Sequence, residues 1–280
     1  YYSSPAPQGT VILVNGSLAT TAAFAQTVRY LQPHFNVVLF DEPYAGQSKQ
    51  YNSNRRPITK EQEASILLEL IERYRADHLM SFSWGGASAL LALAQRPARI
   101  RKAVILAFSP LINSAMRDYL ERGIDLLVNC ERKPLGELLN STIGEHLPSL
   151  VKRFNFRHIV SLDEHEYHQM AFHVSQVLTQ DTRCYLRGSA DIDTPILFVN
   201  GDLDRYTSPE DARHFNRYIR HCRFATVRGA GHFLDMESRE AWAQTRDAVL
   251  GYLAPSLDTG AEPAERISSI GGARVVPLPV

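Results

Sequence analysis

At 280 residues the chain can bury one sizeable core, and with 44% hydrophobic and 21% charged residues it has the make-up of a soluble globular protein. Its 30 basic and 30 acidic residues leave a formal net charge of zero, and no basic-aromatic stripe stands out, which argues against a nucleic-acid partner. The longest apolar runs, such as Ala103–Phe108, are far too short to span a bilayer.

The three cysteines, Cys130, Cys184 and Cys222, are widely separated and show no CxxC spacing. That argues against a disulfide framework or a zinc site and favours a reducing cytoplasm. The chain begins at Tyr1, which suggests that its natural start lies upstream, and no signal-peptide pattern opens it.

In chain order, Thr10–Gly16 reads as a buried strand ending in a turn, followed by helical spacing over 20–31. Asn36–Asp41 is a second buried strand. Thr59-Lys60-Glu61 resembles a helix start, with Ile66, Leu67, Leu70, Ile71 and Tyr74 forming an apolar face. A strand at His78-Leu79-Met80, a helix from Ala87 and a strand over Lys102–Phe108 come next. Strands alternating with helices imply right-handed βαβ units, and continuous apolar strands fit a parallel sheet covered on both faces.

The pattern breaks after Pro110. Residues 111–190 carry no strong strand and read as amphipathic helices, for example 113–129, 134–146 and 164–178. Strand pattern resumes at Pro195–Gly201, then a helix at 208–219, a strand Arg223–Val227 and a helix at 236–253. Residues 255–280, rich in Pro, Gly, Ala and Ser, read as a flexible tail. The domain expectation is therefore a core of 1–110 and 191–254 with a helical cap of 111–190 inserted between the sixth and seventh strands of the fold. A cap of this kind shields a long or apolar substrate from water.

Ser81-Phe82-Ser83-Trp84-Gly85-Gly86 lies between a strand and a helix, with a serine at the apex. This is the nucleophile elbow of the α/β-hydrolase fold, with Ser81 in place of the usual first glycine. Small residues two before and two after the serine let strand and helix backbones pass closely. The turn lifts the Ser83 hydroxyl out of the sheet and places the Trp84 N–H at a helix N-terminus, where it can serve a developing oxyanion.

The acid and base of this fold follow the serine in chain order. After the strand at 195–200, Asp204 stands three beyond Gly201, with Asp202 as the alternative or as a turn-forming residue. Next comes Gly229-Ala230-Gly231-His232, a histidine on a glycine-bracketed loop after the last strand. The expected roles are Ser83 as nucleophile, His232 as general base and Asp204 as the residue that fixes the imidazole tautomer. The second oxyanion donor is expected at the backbone N–H of Ser17 or Leu18, with Gly16 letting that loop approach the substrate.

Val14–Thr21, Phe35–Asp41, the elbow and Gly231–Asp235 together resemble a family acting on (R)-3-hydroxyacyl chains carried by acyl carrier protein. The resemblance runs over nearly all of residues 10–254. It includes the cap segments Met116–Leu120, Leu147–Leu150 and Lys152–Asn155. One branch of that family is a 3-hydroxyacyl-ACP:CoA transacylase feeding medium-chain polyhydroxyalkanoate. The other is a 3-(3-hydroxyalkanoyloxy)alkanoate synthase making the lipid half of rhamnolipids. The cap segments, Asn15–Leu18 and Phe82 look more like the first branch, and Ala45–Ser48 more like the second.

The resemblance implies acyl transfer from a carrier thioester through Ser83, with CoA as acceptor substrate in the transacylase branch. Water or a second hydroxyacyl chain are the alternative acceptors. The residues alone say serine acyl hydrolase or transferase, with a plain esterase or thioesterase and a non-catalytic binding module as rival classes. No metal ligand set, P-loop or G-x-G-x-x-G is present, so no bound cofactor is expected. Lys152, Arg153 and Arg157, with His158 and the interleaved Phe154 and Phe156, form a basic cluster that would suit an acidic carrier protein or an ordinary solvated helix face. Arg55-Arg56 and Arg99, Arg101 and Lys102 are weaker candidates. His158–Asp163 spells H-x4-D, the spacing of glycerolipid acyltransferases, but falls in the cap and reads as packing or surface.

Overall fold

The computed structural model describes residues 1–179 and 188–254 and a strand at Ala273–Pro277. Cys184, the end of the expected cap and most of the expected tail lie outside the described residues. Strands β1 (Thr10–Val14), β2 (Asn36–Leu39), β3 (His78–Phe82), β4 (Lys102–Leu106), β5 (Ile196–Gly201), β6 (Cys222–Val227) and β7 (Ala273–Pro277) form one sheet in the order β2-β1-β3-β4-β5-β6-β7. The first six are parallel, and β7 pairs antiparallel with β6, so part of the stretch read as a tail joins the sheet edge.

The continuous apolar strands divide between two cores because alternate residues point to opposite faces. Val11 and Leu13 of β1 face one cluster, with α1 (Ala25–Leu31) and the last helix, Arg239–Leu253. Ile12 and Val14 face the other, with α2 (Lys60–Tyr74) and α3 (Gly85–Ala94). The helix start at Thr59 is a full capping box. The Thr59 hydroxyl accepts from the Gln62 N–H, and the Gln62 side chain accepts from the Thr59 N–H. Leu67 and Ile71 carry the burial of α2, while Tyr74 is exposed.

Between β4 and β5 come α4 (Ser114–Val128), α5 (Arg132–Ser141), α6 (Ser149–Ser161) and α7 (Glu164–Thr179). On this chain the block lies between the fourth and fifth strands. Helix α5 starts earlier than expected, since Pro134 is tolerated in a first helical turn that needs no N–H donor. It also stops earlier: the Ser141 and Thr142 hydroxyls turn back onto the carbonyls of Glu137 and Leu138. The helix expected over 208–219 is broken into a short α8 (Pro209–Ala212) and a tighter 3-10 turn over Arg213–Arg217, whose Phe215 stacks on Phe198 at 4.4 Å. The final helix, Arg239–Leu253, is α9.

The chain steps from β1 outward to β2 and then returns to the other side of β1 as β3. The crevice beyond the carboxyl ends of β1 and β3 is thus a topological switch point, where ligands bind in open α/β sheets. The loop after β1 and the turn after β3 both open there.

Candidate active site

The turn after β3 needs two unusual conditions, and the sequence meets both. Ser83 has φ +50°, a left-handed conformation that a non-glycine residue holds only when its surroundings force it. Here its N–H donates to the Leu106 carbonyl of β4 at 2.8 Å and its carbonyl accepts from the Gly86 N–H at 2.8 Å. A Cβ on Gly85 would collide with the Asn15 carbonyl oxygen, so the residue two after the serine must be glycine. Ser81, two before it, is fully buried and fits because it is small.

His232 Nε2 lies 2.8 Å from Ser83 Oγ, and His232 Nδ1 lies 2.8 Å from Asp204 Oδ2. His232 and Asp204 are both buried. Asp204 Oδ2 also accepts from the Thr207 hydroxyl at 2.6 Å, and Oδ1 accepts from the backbone N–H groups of Tyr206 at 2.9 Å and Thr207 at 3.1 Å. Burial pushes the Asp204 carboxyl up, but the charge and hydrogen bond of His232 and the Thr207 donors outweigh it, and the net effect is a lowered pKa. Asp202 takes the other role weighed for it: its Oδ1 accepts from the Gly229 N–H at 2.7 Å, closing a turn away from the triad.

Two supports of this arrangement carried no motif. Thr207 is one, a neighbour of Asp204 in sequence. Glu237 is the other. Its buried carboxylate accepts from the N–H groups of Gly231 at 2.6 Å and Phe233 at 2.8 Å, on either side of His232. An acid five residues after the histidine was its only trace in the sequence.

The loop Asn15–Leu18 packs against the elbow. A Cβ on Gly16 would stand 3.3 Å from the Phe82 carbonyl oxygen and from the Ser83 Cβ. Among the described residues, the backbone N–H groups of Ser17, Leu18 and Trp84 have no acceptor. Ser83, His232, Gly16, Ser17 and Leu18 all line one cavity of about 270 Å³. Its walls are chiefly apolar and come from both halves of the fold: Phe24, Met80 and Phe82 from the core, Leu139, Ile143, Leu147, Val151 and Phe154 from the helical block. A second cavity of about 120 Å³ reaches Ser83 and Trp84 from between α3, the segment Ala107–Ile112 after β4, and α7.

The basic cluster lies on α6, the helix that forms one wall of the larger cavity. Arg153 and Arg157 are exposed, and no acidic side chain among the described residues pairs with them. Lys152 instead donates to the Glu145 carbonyl at 2.7 Å. Phe154 lines the cavity yet is 57% exposed, which places it at the mouth, and Leu150 beside it is 60% exposed. Arg99 and Arg101 pair with Glu72 and Asp77. The two halves of H-x4-D part company. His158 Nε2 donates to the Leu18 carbonyl at 2.7 Å, whereas Asp163 pairs with Lys49 at 3.1 Å.

Cys130 and Cys222 are free thiols. Among the described residues no cluster of His, Cys, Asp and Glu could hold a metal, and no helix is long and apolar enough to cross a membrane.

Fold and site together define an α/β-hydrolase with a Ser–His–Asp triad, and the chain belongs to the α/β-hydrolase fold family, whose model matches residues 9–238. More narrowly, it belongs to the family of the (R)-3-hydroxydecanoyl-ACP:CoA transacylases. The relative of that name from Pseudomonas aeruginosa is 58% identical over 99% of this chain and 92% of its own. Those from Ectopseudomonas oleovorans and Pseudomonas putida are 58% and 56% identical, covering 92% and 96% of this chain and 87% and 90% of theirs. Among solved structures, MenH from S. aureus superposes with a TM-score of 0.76 at 15% identity, covering 92% of this chain and 98% of its own. A hydrolase from Pseudomonas aeruginosa gives 0.70 at 21% identity, covering 91% and 92%. At these identities the structural likeness concerns the fold alone.

Proposed function

We propose that this chain is a serine acyltransferase that moves (R)-3-hydroxyacyl groups of about ten carbons from acyl carrier protein to CoA, the reaction named for its relatives. The observation that carries the reading is the Ser83–His232–Asp204 hydrogen-bond chain at the edge of a 270 Å³ apolar cavity. The polar chain supplies the chemistry, and the apolar walls suit a medium-length alkyl tail.

In this reading Ser83 Oγ attacks the thioester carbonyl carbon while His232 Nε2 takes the hydroxyl proton. The carbonyl oxygen, now an oxyanion, is met by the Trp84 N–H at the start of α3 and by an N–H of Ser17 or Leu18. Collapse breaks the C–S bond. The carrier thiolate leaves with the proton from His232, and an acyl-Ser83 remains. The CoA thiol then gives its proton to His232 and attacks the acyl carbon. Ser83 leaves as the hydroxyl, recovering that proton, and 3-hydroxyacyl-CoA is released.

Thioester is exchanged for thioester, so the outcome depends on keeping water from the acyl-serine. Helices α4 to α7, acting as a cap over residues 111–190, would do so. The acidic carrier would be steered by Arg153 and Arg157 and would rest on Phe154 and Leu150 at the cavity mouth. CoA enters as substrate, and no bound cofactor has a part. A chain using these two substrates would work in the cytoplasm.

The test is incubation with 3-hydroxydecanoyl-ACP, with and without CoA, resolving products by mass spectrometry. CoA-dependent 3-hydroxydecanoyl-CoA, absent with Ser83→Ala, supports the proposal. Free acid alone would make the protein a thioesterase, and dimeric ester regardless of CoA would move it to the synthase branch. Arg153→Glu with Arg157→Glu should raise KM for the carrier-bound substrate and leave that for a short thioester unchanged.

A further inference from the structure

The core holds the start of the oxyanion loop at Asn15 and Gly16, and the helical cap holds its far end through one residue, Leu18. Leu18 has φ +55°, so its two flanking peptides sit in an orientation that leucine does not favour by itself. Two contacts hold it there, and both come from the cap. Its side chain packs against the cap's apolar cluster around Met116, Leu120 and Met170. Its carbonyl accepts the 2.7 Å hydrogen bond from His158 on α6. Trp84, next to Ser83 in the elbow, packs against the same cluster.

We propose that His158 is a positioning residue for acyl transfer: by holding the Leu18 carbonyl it keeps Leu18 in its left-handed conformation, and so sets the orientation of the adjoining Ser17–Leu18 peptide, whose N–H would meet the oxyanion. The proposal rests on the acyl-transfer reading above and extends it to how the cap takes part. A carbonyl can only accept, so His158 must present Nε2 as N–H and cannot use that nitrogen as a base. Among the described residues no carboxylate pairs with it: Asp163 is engaged by Lys49 and by the Glu166 N–H at 3.1 Å. The imidazole also lines the large cavity that Ser83 lines. Seating of α6 therefore reaches the reacting oxygen through one polar contact, and a cap displaced from the core would leave Leu18 free to relax out of its left-handed conformation.

The test compares His158→Leu and His158→Gln in full-length protein. It uses p-nitrophenyl decanoate turnover and inhibition by a decyl trifluoromethyl ketone, which forms an oxyanion on Ser83. Leucine keeps bulk without a donor, and the glutamine amide can donate at similar reach. In His158→Leu, kcat should fall roughly tenfold or more with KM within about twofold, and the inhibition constant of the ketone should rise by the factor lost from kcat, since losing an oxyanion donor altogether costs about a hundredfold or more. His158→Gln should recover most of both.

Unchanged kcat and ketone affinity in His158→Leu would overturn the proposal, as would a lower melting temperature with intact kinetics. His158→Gln as impaired as Ser83→Ala would overturn it too, since that is the pattern of a base. Should His158→Leu not fold, His158→Asn, an amide too short to reach Leu18, takes its place with the same expectations. Both readouts need only the triad, so a failure of CoA-dependent transfer strikes the function proposed above and not this inference.

Discussion

Asp204 and His232 stand 28 residues apart in sequence, yet their side chains meet at 2.8 Å with both buried. Because Asp204 Oδ1 already accepts two backbone N–H groups, an asparagine there must keep its oxygen at that position. Its amide N–H₂ would then face His232 Nδ1. The imidazole would have to accept at Nδ1 and carry its proton on Nε2, the wrong tautomer for receiving one from Ser83. Asp204→Asn should therefore lower kcat by about 10³–10⁴-fold, with little change in KM or fold. Steady-state kinetics and circular dichroism check this.

Ser81 satisfies the elbow by being small, and its hydroxyl has no partner among the described residues although it is fully buried. A buried hydroxyl without a hydrogen bond costs on the order of 1 kcal/mol or more. Ser81→Ala should stabilise the protein by about 1 kcal/mol in urea unfolding and leave kcat/KM unchanged. A loss of stability would mean that the hydroxyl is satisfied after all.

Asp235 is a buried carboxyl on the wall of the large cavity, bonded by the Thr27 hydroxyl at 2.7 Å. Burial raises its pKa to about 6, only partly offset by Thr27. An unfolded aspartate titrates near 3.9. Between about pH 4 and 6 the unfolded chain has therefore lost a proton that the folded one keeps, so this group removes stability as pH rises through that window and no more above it. Asp235→Asn keeps the acceptor for Thr27 and has no such dependence. Its advantage over the native chain should grow between about pH 4 and 6, to about 3 kcal/mol, and then level off. Melting temperatures over that range measure it; an advantage independent of pH would refute the assignment.

Lys49, in the 3-10 turn Gly46–Tyr51 after β2, bridges to the helical block at Glu166, 2.7 Å away, and at Asp163, 3.1 Å away. Glu166 is buried, so removing its cation leaves a carboxylate poorly compensated. Lys49→Met should cost about 1–3 kcal/mol. Adding Glu166→Gln should restore part of it, a coupling that a double-mutant cycle reads directly.

Much of this protein was legible in its sequence because the relevant features are local. Alternating strands and helices gave the parallel sheet, since a strand covered on both faces must be apolar throughout. The elbow was visible because a sharp strand-to-helix turn demands small residues at fixed offsets, which Ser81 and Gly85 supply. Asp204 and His232 each follow a strand end beside a glycine.

Other features are set by contacts that no local pattern records. Helix α6 buries only Ile159 fully, because Val151, Phe154, Asn155 and His158 face a cavity and not a packed core, so it shows no clean apolar stripe. Glu237 and Thr207 support the triad through backbone N–H groups whose positions exist only in the folded loops.

The sequence by itself determined the sheet, the serine elbow and the chain order of the triad, because these follow from periodicity and from steric limits within a few residues. Tertiary structure alone decided how H-x4-D is used. His158 and Asp163, five residues apart on the chain, are drawn to Leu18 and Lys49 of the core, 140 and 114 residues away from them. Hydrogen-bond donors and charges in a half-buried setting go to whichever partner packing brings within reach, and packing is a property of the whole fold.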